Sequence, residues 1–360
     1  MQEESGWQKF KTQFKKHWLT IWFVLGFFTD ALLLNRIDDV MDNLILLAYV
    51  LLATFSLILF YVGVAQKLGG WFSKKLIRYM PGVMQYSFGG LLSGMLIFYG
   101  RSGDWITSAP FLLLILSVIL GNEMVHKRSD RLVYHIALYF IGLFSYSVLV
   151  LPIVFGAMGD LMFFLSGLTA LLWVTIVVQI LYRVVPNFMR VNTRRIVLLV
   201  GVIYMSLNSL YYTGVLPPIP LSLTEHAIVH SVTKPDANTY RIVTEDQAWW
   251  RELPFMEESL HPVNAELSCF ARVYAPAKLS TEIYHRWEYK GPDGKWVERA
   301  RIKYPIAGSN ASGYRGYTTV GNVTSGKWRC SVETERGQVL GRSTAYVVIG
   351  GEGTPVTKVE

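Results

Sequence analysis

A chain of 360 residues that is 52% apolar and only 17% charged is neither disordered nor composed like an ordinary soluble protein, and its two cysteines are too few for a disulfide-rich scaffold or a four-thiolate zinc site. The net charge of +8 is uneven, because residues 1–215 hold 17 Lys and Arg against 10 Asp and Glu, whereas residues 216–360 hold 17 against 16. A basic excess lying between apolar runs is a membrane-topology signal, and it argues against nucleic acid as a partner.

Residues 1–17 form a basic tail in which Trp7, Phe10 and Phe14 alternate with Lys9, Lys11, Lys15 and Lys16. This reads as an amphipathic segment on the inner leaflet or as a solvated basic anchor. No small-residue cleavage site precedes Arg36-Ile-Asp-Asp, so a cleaved signal peptide is not expected. Seven apolar stretches then approach the roughly 20 residues needed to cross a bilayer. They run over Trp18–Leu34, Leu44–Val64, Val83–Tyr99, Ile106–Val125, Leu132–Phe155, Leu161–Tyr182 and Ile196–Val215, and together predict a seven-span bundle over 18–215. The second, fifth, sixth and seventh are the cleanest. Asp30 interrupts the first, and the third is short and rich in Gly and Ser.

Loop charge predicts the orientation. The tail and alternate loops hold 15 basic residues, whereas the opposite loops hold only Arg36 and Arg101 beside several aspartates. The positive-inside bias places the N-terminus in the cytoplasm, and seven crossings place the C-terminal part outside. The expected location is the bacterial inner membrane, multi-pass, with a periplasmic domain.

A proline-rich connector, residues 216–224 with Pro217, Pro218 and Pro220, ends the helical pattern. Short alternating stretches follow at Ala227–Val232, Tyr240–Val243, Ala265–Tyr274, Thr281–Tyr289, Lys295–Lys303, Gly313–Val320, Gly326–Glu333 and Val339–Val348. Residues 225–350 are therefore predicted to form an all-β, immunoglobulin-like sandwich, with a flexible tail over 351–360. Cys269 lies on the third of these strands, Trp287 follows 18 residues later, and Cys330 lies on a late strand two residues after Trp328. This spacing suggests an inter-sheet disulfide covered by a buried Trp. Two unpaired buried cysteines are the alternative.

At these residues the C-terminal part resembles the bacterial module known as domain of unknown function 2914, found at the C-terminus of multi-span inner-membrane proteins. The features that carry the resemblance are Pro217-Pro-Ile-Pro-Leu221, His285-Arg-Trp287, Gly326-Lys-Trp328 and Gly337-Gln-Val-Leu340, within about residues 216–350. The resemblance implies no activity, cofactor or catalytic residue.

Candidate polar sites divide between the two halves. Asp30 lies about 18 Å beyond Trp18 along a helix, where a carboxylate lines an ion or substrate path or reaches the outer headgroups. Asp38, Asp39 and Asp42 could bind a divalent cation or form a solvated loop. Glu123, His126 and His135 flank a basic turn whose hairpin could pair Glu123 with His135, as a structural pair or a proton relay. Gly90-x-x-x-Gly94 indicates close helix packing. Pro152 suggests a kink. His226 and His230 lack the order of a metalloprotease motif, and no nucleophile elbow, phosphate loop or dinucleotide fingerprint occurs. Trp249, Trp250, Phe255 and Met256 form an aromatic cluster suited to a sugar, a membrane surface or a core.

The composition and motif content predict a non-enzymatic membrane protein that displays a β-sandwich to an envelope protein or a glycan. Membrane lipids are its expected surroundings, oligomers are possible, and no cofactor or metal is expected. The alternative is a transporter or lipid-handling enzyme with its site at Asp30, Glu123 and His135.

Overall fold

The computed structural model describes residues 18–34, 39–66, 71–103, 105–121, 128–216, 220–236, 239–245, 258–275, 280–307, 313–350 and 353–359. The chain divides into a helical unit of residues 1–99 and 109–213 and a β-rich unit of residues 100–108 and 214–360.

Among the described residues, seven helices precede the strands: α1 Trp18–Leu33, α2 Val40–Val64, α3 Trp71–Ser102, α4 Trp105–Gly121, α5 Arg128–Phe155, α6 Asp160–Val184 and α7 Pro186–Tyr212. Asp39 starts α2 by accepting the Met41 N–H at 3.0 Å, and Pro186 opens α7 where no amide hydrogen is needed. Of the seven spans expected from the sequence, only part is supported by helix length and composition. Among the described residues, four helices are long and apolar enough to cross a membrane: α2, α5 from Arg131, α6 and α7. The helix α1 has 16 residues and α4 has 17, whereas α3 is long but diluted by Gly, Ser and Gln.

Close packing at the first three helices depends on missing side chains. A Cβ on Gly26 would collide with the Tyr86 carbonyl, and one on Gly89 with the Phe23 carbonyl, so α1 and α3 cross with backbones in contact. Gly90 and Gly94 instead receive α2, since a Cβ at each would fall 2.6 Å from the Tyr49 ring and 2.7 Å from Leu46 Cδ2. The α5 helix is the most buried of the four long apolar helices. Within it, Tyr139 bonds with Thr54 of α2 and accepts the Trp173 indole N–H of α6 at 2.7 Å.

The second unit contains β1 Ser222–Val229, β2 Ser231–Asp236, β3 Thr239–Glu245, β4 Glu258–Leu260, β5 Glu266–Tyr274, β6 Ser280–Lys290, β7 Trp296–Ala307, β8 Tyr314–Gly321, β9 Gly326–Thr334, β10 Val339–Val347 and β11 Pro355–Val359. They form three sheets ordered β1-β5-β8, β4-β10-β9-β6-β7 and β11-β3-β2. All neighbours are antiparallel except β4, which runs parallel to β10. Two departures from the sequence reading stand out. The stretch Ala227–Val232 breaks at His230 into strands of different sheets, and Pro355–Val359, expected in a flexible tail, pairs with β3.

The sheet β1-β5-β8 is a middle layer. Ile228, Leu267 and Cys269 face a core shared with Trp287, Trp328, Cys330 and Ala345 of the five-stranded sheet. Val229 and Phe270 face the opposite way, onto Val232, Tyr240 and Ile242. Burial on both faces explains why β5 reads as a nearly continuous apolar run rather than an alternating one.

Candidate functional site

Asp30 is fully buried between α1, α2 and α3. Its Oδ1 accepts the Tyr49 hydroxyl at 2.7 Å and its Oδ2 accepts the Ser93 hydroxyl at 2.6 Å, so both oxygens have donors. Asp42 is buried as well, while Asp39 serves as the α2 cap and Asp38 lies outside the described residues. His135 of α5 is buried, with Nδ1 3.3 Å from the Tyr61 hydroxyl and its ring against Phe88. Glu123 and His126 lie outside the described residues, so the hairpin pairing has no described counterpart. Trp249, Trp250, Phe255 and Met256 lie outside them too.

In the β unit, Cys269 of β5 and Cys330 of β9 are joined by a disulfide with a sulfur separation of 2.07 Å. Trp287 of β6 is the register partner of Cys330 and is completely buried. Its indole N–H donates to Thr318 Oγ1 at 3.1 Å, the same oxygen that lies 2.9 Å from His285 Nδ1. His285 Nε2 in turn lies 3.2 Å from the Tyr304 hydroxyl. Burial pushes the His285 imidazole down to about 3, and the charge of His226 acts in the same direction. Cys269, His285 and Cys330 are the one close group of three potential metal ligands among the described residues, but the two sulfurs are bonded to each other.

His230 does not pair with His226 in a ligand set. Its Nε2 lies 2.8 Å from Glu245 Oε1, and His261 Nδ1 lies 2.9 Å from Oε2 of the same carboxylate. The backbone N–H of His261 also donates to Oε1 at 2.6 Å. Burial raises the Glu245 carboxyl, but the two hydrogen bonds from His261 and the charges of His261 and His230 outweigh it and hold the group below its ordinary value. Sequence reasoning missed this cluster because Glu245 ends β3 whereas His261 follows β4, strands of two different sheets, and only the tertiary fold brings them together.

The outer face of the five-stranded sheet is the other feature that was not legible. On β6, Ile283, His285 and Trp287 point inward, so Tyr284, Arg286 and Glu288 point outward. Glu333 of β9 is almost sealed from solvent, and its Oε1 receives Arg301 Nε of β7 at 2.7 Å. Glu288 likewise receives Arg329 Nη2 at 2.8 Å. Guanidinium groups stack on aromatic faces beside these pairs, Arg301 at 4.1 Å from the Tyr284 ring centre and Arg329 at 4.2 Å from that of Trp296. The result is a rigid, charged and aromatic surface built across three strands.

No curated protein matches the chain. Among solved structures, a Pseudomonas fluorescens alkylpurine DNA glycosylase, AlkC, bound to DNA containing an abasic site analogue, is similar at 10% identity over 87% of this chain and 99% of that one. Its TM-score is 0.20, at which the likeness carries no argument about fold or activity. Residues 280–344, which run from the start of β6 into β10, match a family described as protein of unknown function (DUF2914).

Proposed function

We propose that the chain is a multi-span protein of a bacterial inner membrane that presents an immunoglobulin-like β-sandwich in the periplasm, where the sandwich binds an envelope protein or glycan without catalysis. The strand order β4-β10-β9-β6-β7, with β4 parallel to β10, supports the immunoglobulin-like reading, as does the disulfide beside Trp287. Trp328 adds to it. Two residues before Cys330, its indole N–H bonds back to the Thr324 carbonyl at 2.8 Å, the role a corner tyrosine fills in such sandwiches. The charge asymmetry of the loops supports the orientation, with α1, α3 and α4 inserting beside the four long apolar helices.

The observation that carries the binding role is the outer face of the five-stranded sheet, where arginines are held in place by buried carboxylates and aromatic rings. Residues fixed in this way lose little entropy on binding. The buried Asp30 is the observation that favours the alternative, a transport or lipid-handling site among the helices. Its oxygens are already satisfied by Tyr49 and Ser93, which fits a packing role better.

The test is a photo-cross-linking amino acid placed at Glu298 or Tyr346, the exposed register partners of Glu288 and Lys327 on the outer face, in the full chain in its native membrane. An adduct with a second envelope component is expected at these positions and not at Val356 on β11. Adducts at all three positions, or at none, would remove the sheet face from consideration.

A further inference from the structure

Three arginines share one cross-strand row on the outer face of the five-stranded sheet. Arg342 of β10 is the register partner of Ser331 in β9, Ser331 is that of Arg286 in β6, and Arg286 is that of Arg301 in β7. With strands about 4.8 Å apart, the row extends about 14 Å. Like charges directly opposite in a sheet repel, so this arrangement costs stability unless something offsets it. Glu333 does so in part, 2.7 Å from Arg301 Nε and 3.2 Å from Arg286 Nε, while Glu288 pairs with Arg329 and lies 3.9 Å from Arg286. Glu333 and Glu288 thus face the guanidinium groups of Arg286, Arg301 and Arg329, three cations against two anions, and this cluster keeps a positive excess.

Hydrogen bonding in the row is incomplete as well. Arg286 Nε and Glu333 Oε2 are close but misaligned, and neither makes a hydrogen bond. Ser331 Oγ is fully buried between the arginines and also makes none. A buried hydroxyl left in this state is uncommon in a folded protein and marks a place where a partner is missing.

We infer that the row Arg342–Ser331–Arg286–Arg301 binds a phosphate group carried by an envelope component, an assignment that rests on the reading of the β unit as a binding module. A phosphate offers several acceptors and more than one negative charge, which matches the charge excess, the planar guanidinium forks and the serine hydroxyl. Stacking on Tyr284 holds Arg301 flat at the edge of the row before a ligand arrives.

The test uses the full chain in phosphatidylcholine nanodiscs, titrated with inorganic pyrophosphate and, separately, mixed with vesicles containing phosphatidylglycerol. Saturable binding to at least one probe is expected, weakening as salt is raised. Binding to pyrophosphate alone assigns a soluble or glycan source, and binding to the vesicles alone assigns a lipid headgroup. Arg286→Gln should weaken binding about tenfold, the value of a charge-assisted hydrogen bond. Ser331→Ala should weaken it several-fold with an unchanged melting temperature, because the hydroxyl has no partner to lose, and this variant separates binding from folding. Binding of neither probe, or undiminished binding in both variants, overturns the assignment. If cross-linking at Glu298 and Tyr346 still captures a component in that event, the module reading stands and only the phosphate assignment falls; if cross-linking fails too, both fall.

Discussion

Arg301 and Glu333 join β7 to β9 across the intervening strand β6, with Nε and Oε1 2.7 Å apart. Glu333 is buried, while Arg301 keeps access to solvent and also donates to the Thr334 and Glu335 carbonyls. The pair is therefore asymmetric. Arg301→Ala leaves a sealed carboxylate with only the misaligned Arg286 beside it, and should cost about 3 kcal/mol in denaturant unfolding of the β unit. Glu333→Gln leaves arginines that can turn to water, and about 1 kcal/mol is expected. Equal losses would show that the carboxylate is not the vulnerable partner.

The disulfide closes a loop of 61 residues, for which the chain-entropy model gives about 4 kcal/mol. Replacing Cys269 or Cys330 by Ala should lower the melting temperature of the β unit and make it protease-sensitive. The helices should insert as before, because insertion depends on hydrophobicity and loop charge. Limited proteolysis of membrane fractions separates the two effects.

Acid should loosen the β unit through two groups. His285 is held neutral in the fold, so between its ordinary value of 6.5 and about 3 the unfolded chain takes up a proton that the folded chain refuses, and stability falls as pH drops through that window. Glu245 has a depressed value, so its contribution is present above its ordinary 4.5 and is lost as pH falls below that. Melting temperatures measured from pH 7 to pH 5 should decline, and His285→Gln should flatten the decline. An unchanged slope in that variant would assign the effect to other groups.

At the crossing of α1 and α3, Gly89→Val should be destructive because the added Cβ meets the Phe23 backbone, which cannot rotate away. Overpacking of this kind costs about 1–3 kcal/mol or more. Ser87→Ala, two residues away on the same helix, should be mild, since its hydroxyl bonds to the Val83 carbonyl of its own helix. Thermal stability in detergent distinguishes the two.

Topology is open to a direct measurement. Alkaline phosphatase fused after Glu360 should be active and a green fluorescent protein fusion dark. The reverse pattern would mean an even number of crossings, with one of α1, α3 or α4 failing to insert.

Hydrophobic patterning alone separates the two halves of this chain, because long apolar runs and short alternating ones differ in period before any tertiary contact forms. The helices, most strands and the spacing of Cys269, Trp287 and Cys330 were legible for that reason. Helix faces and strand edges were not. Asp30 finds Tyr49 and Ser93, residues 19 and 63 positions away, only because Gly26, Gly89 and Gly90 let three helices approach closely. Glu245 meets His261 where two different sheets come together, whereas Arg286 lies between Ser331 and Arg301 through sheet register. A one-residue slip in that register would turn Arg286 to the opposite face, and nothing local to it specifies the register. Composition determines where this chain forms helices and strands; long-range pairing decides which charged side chains become neighbours.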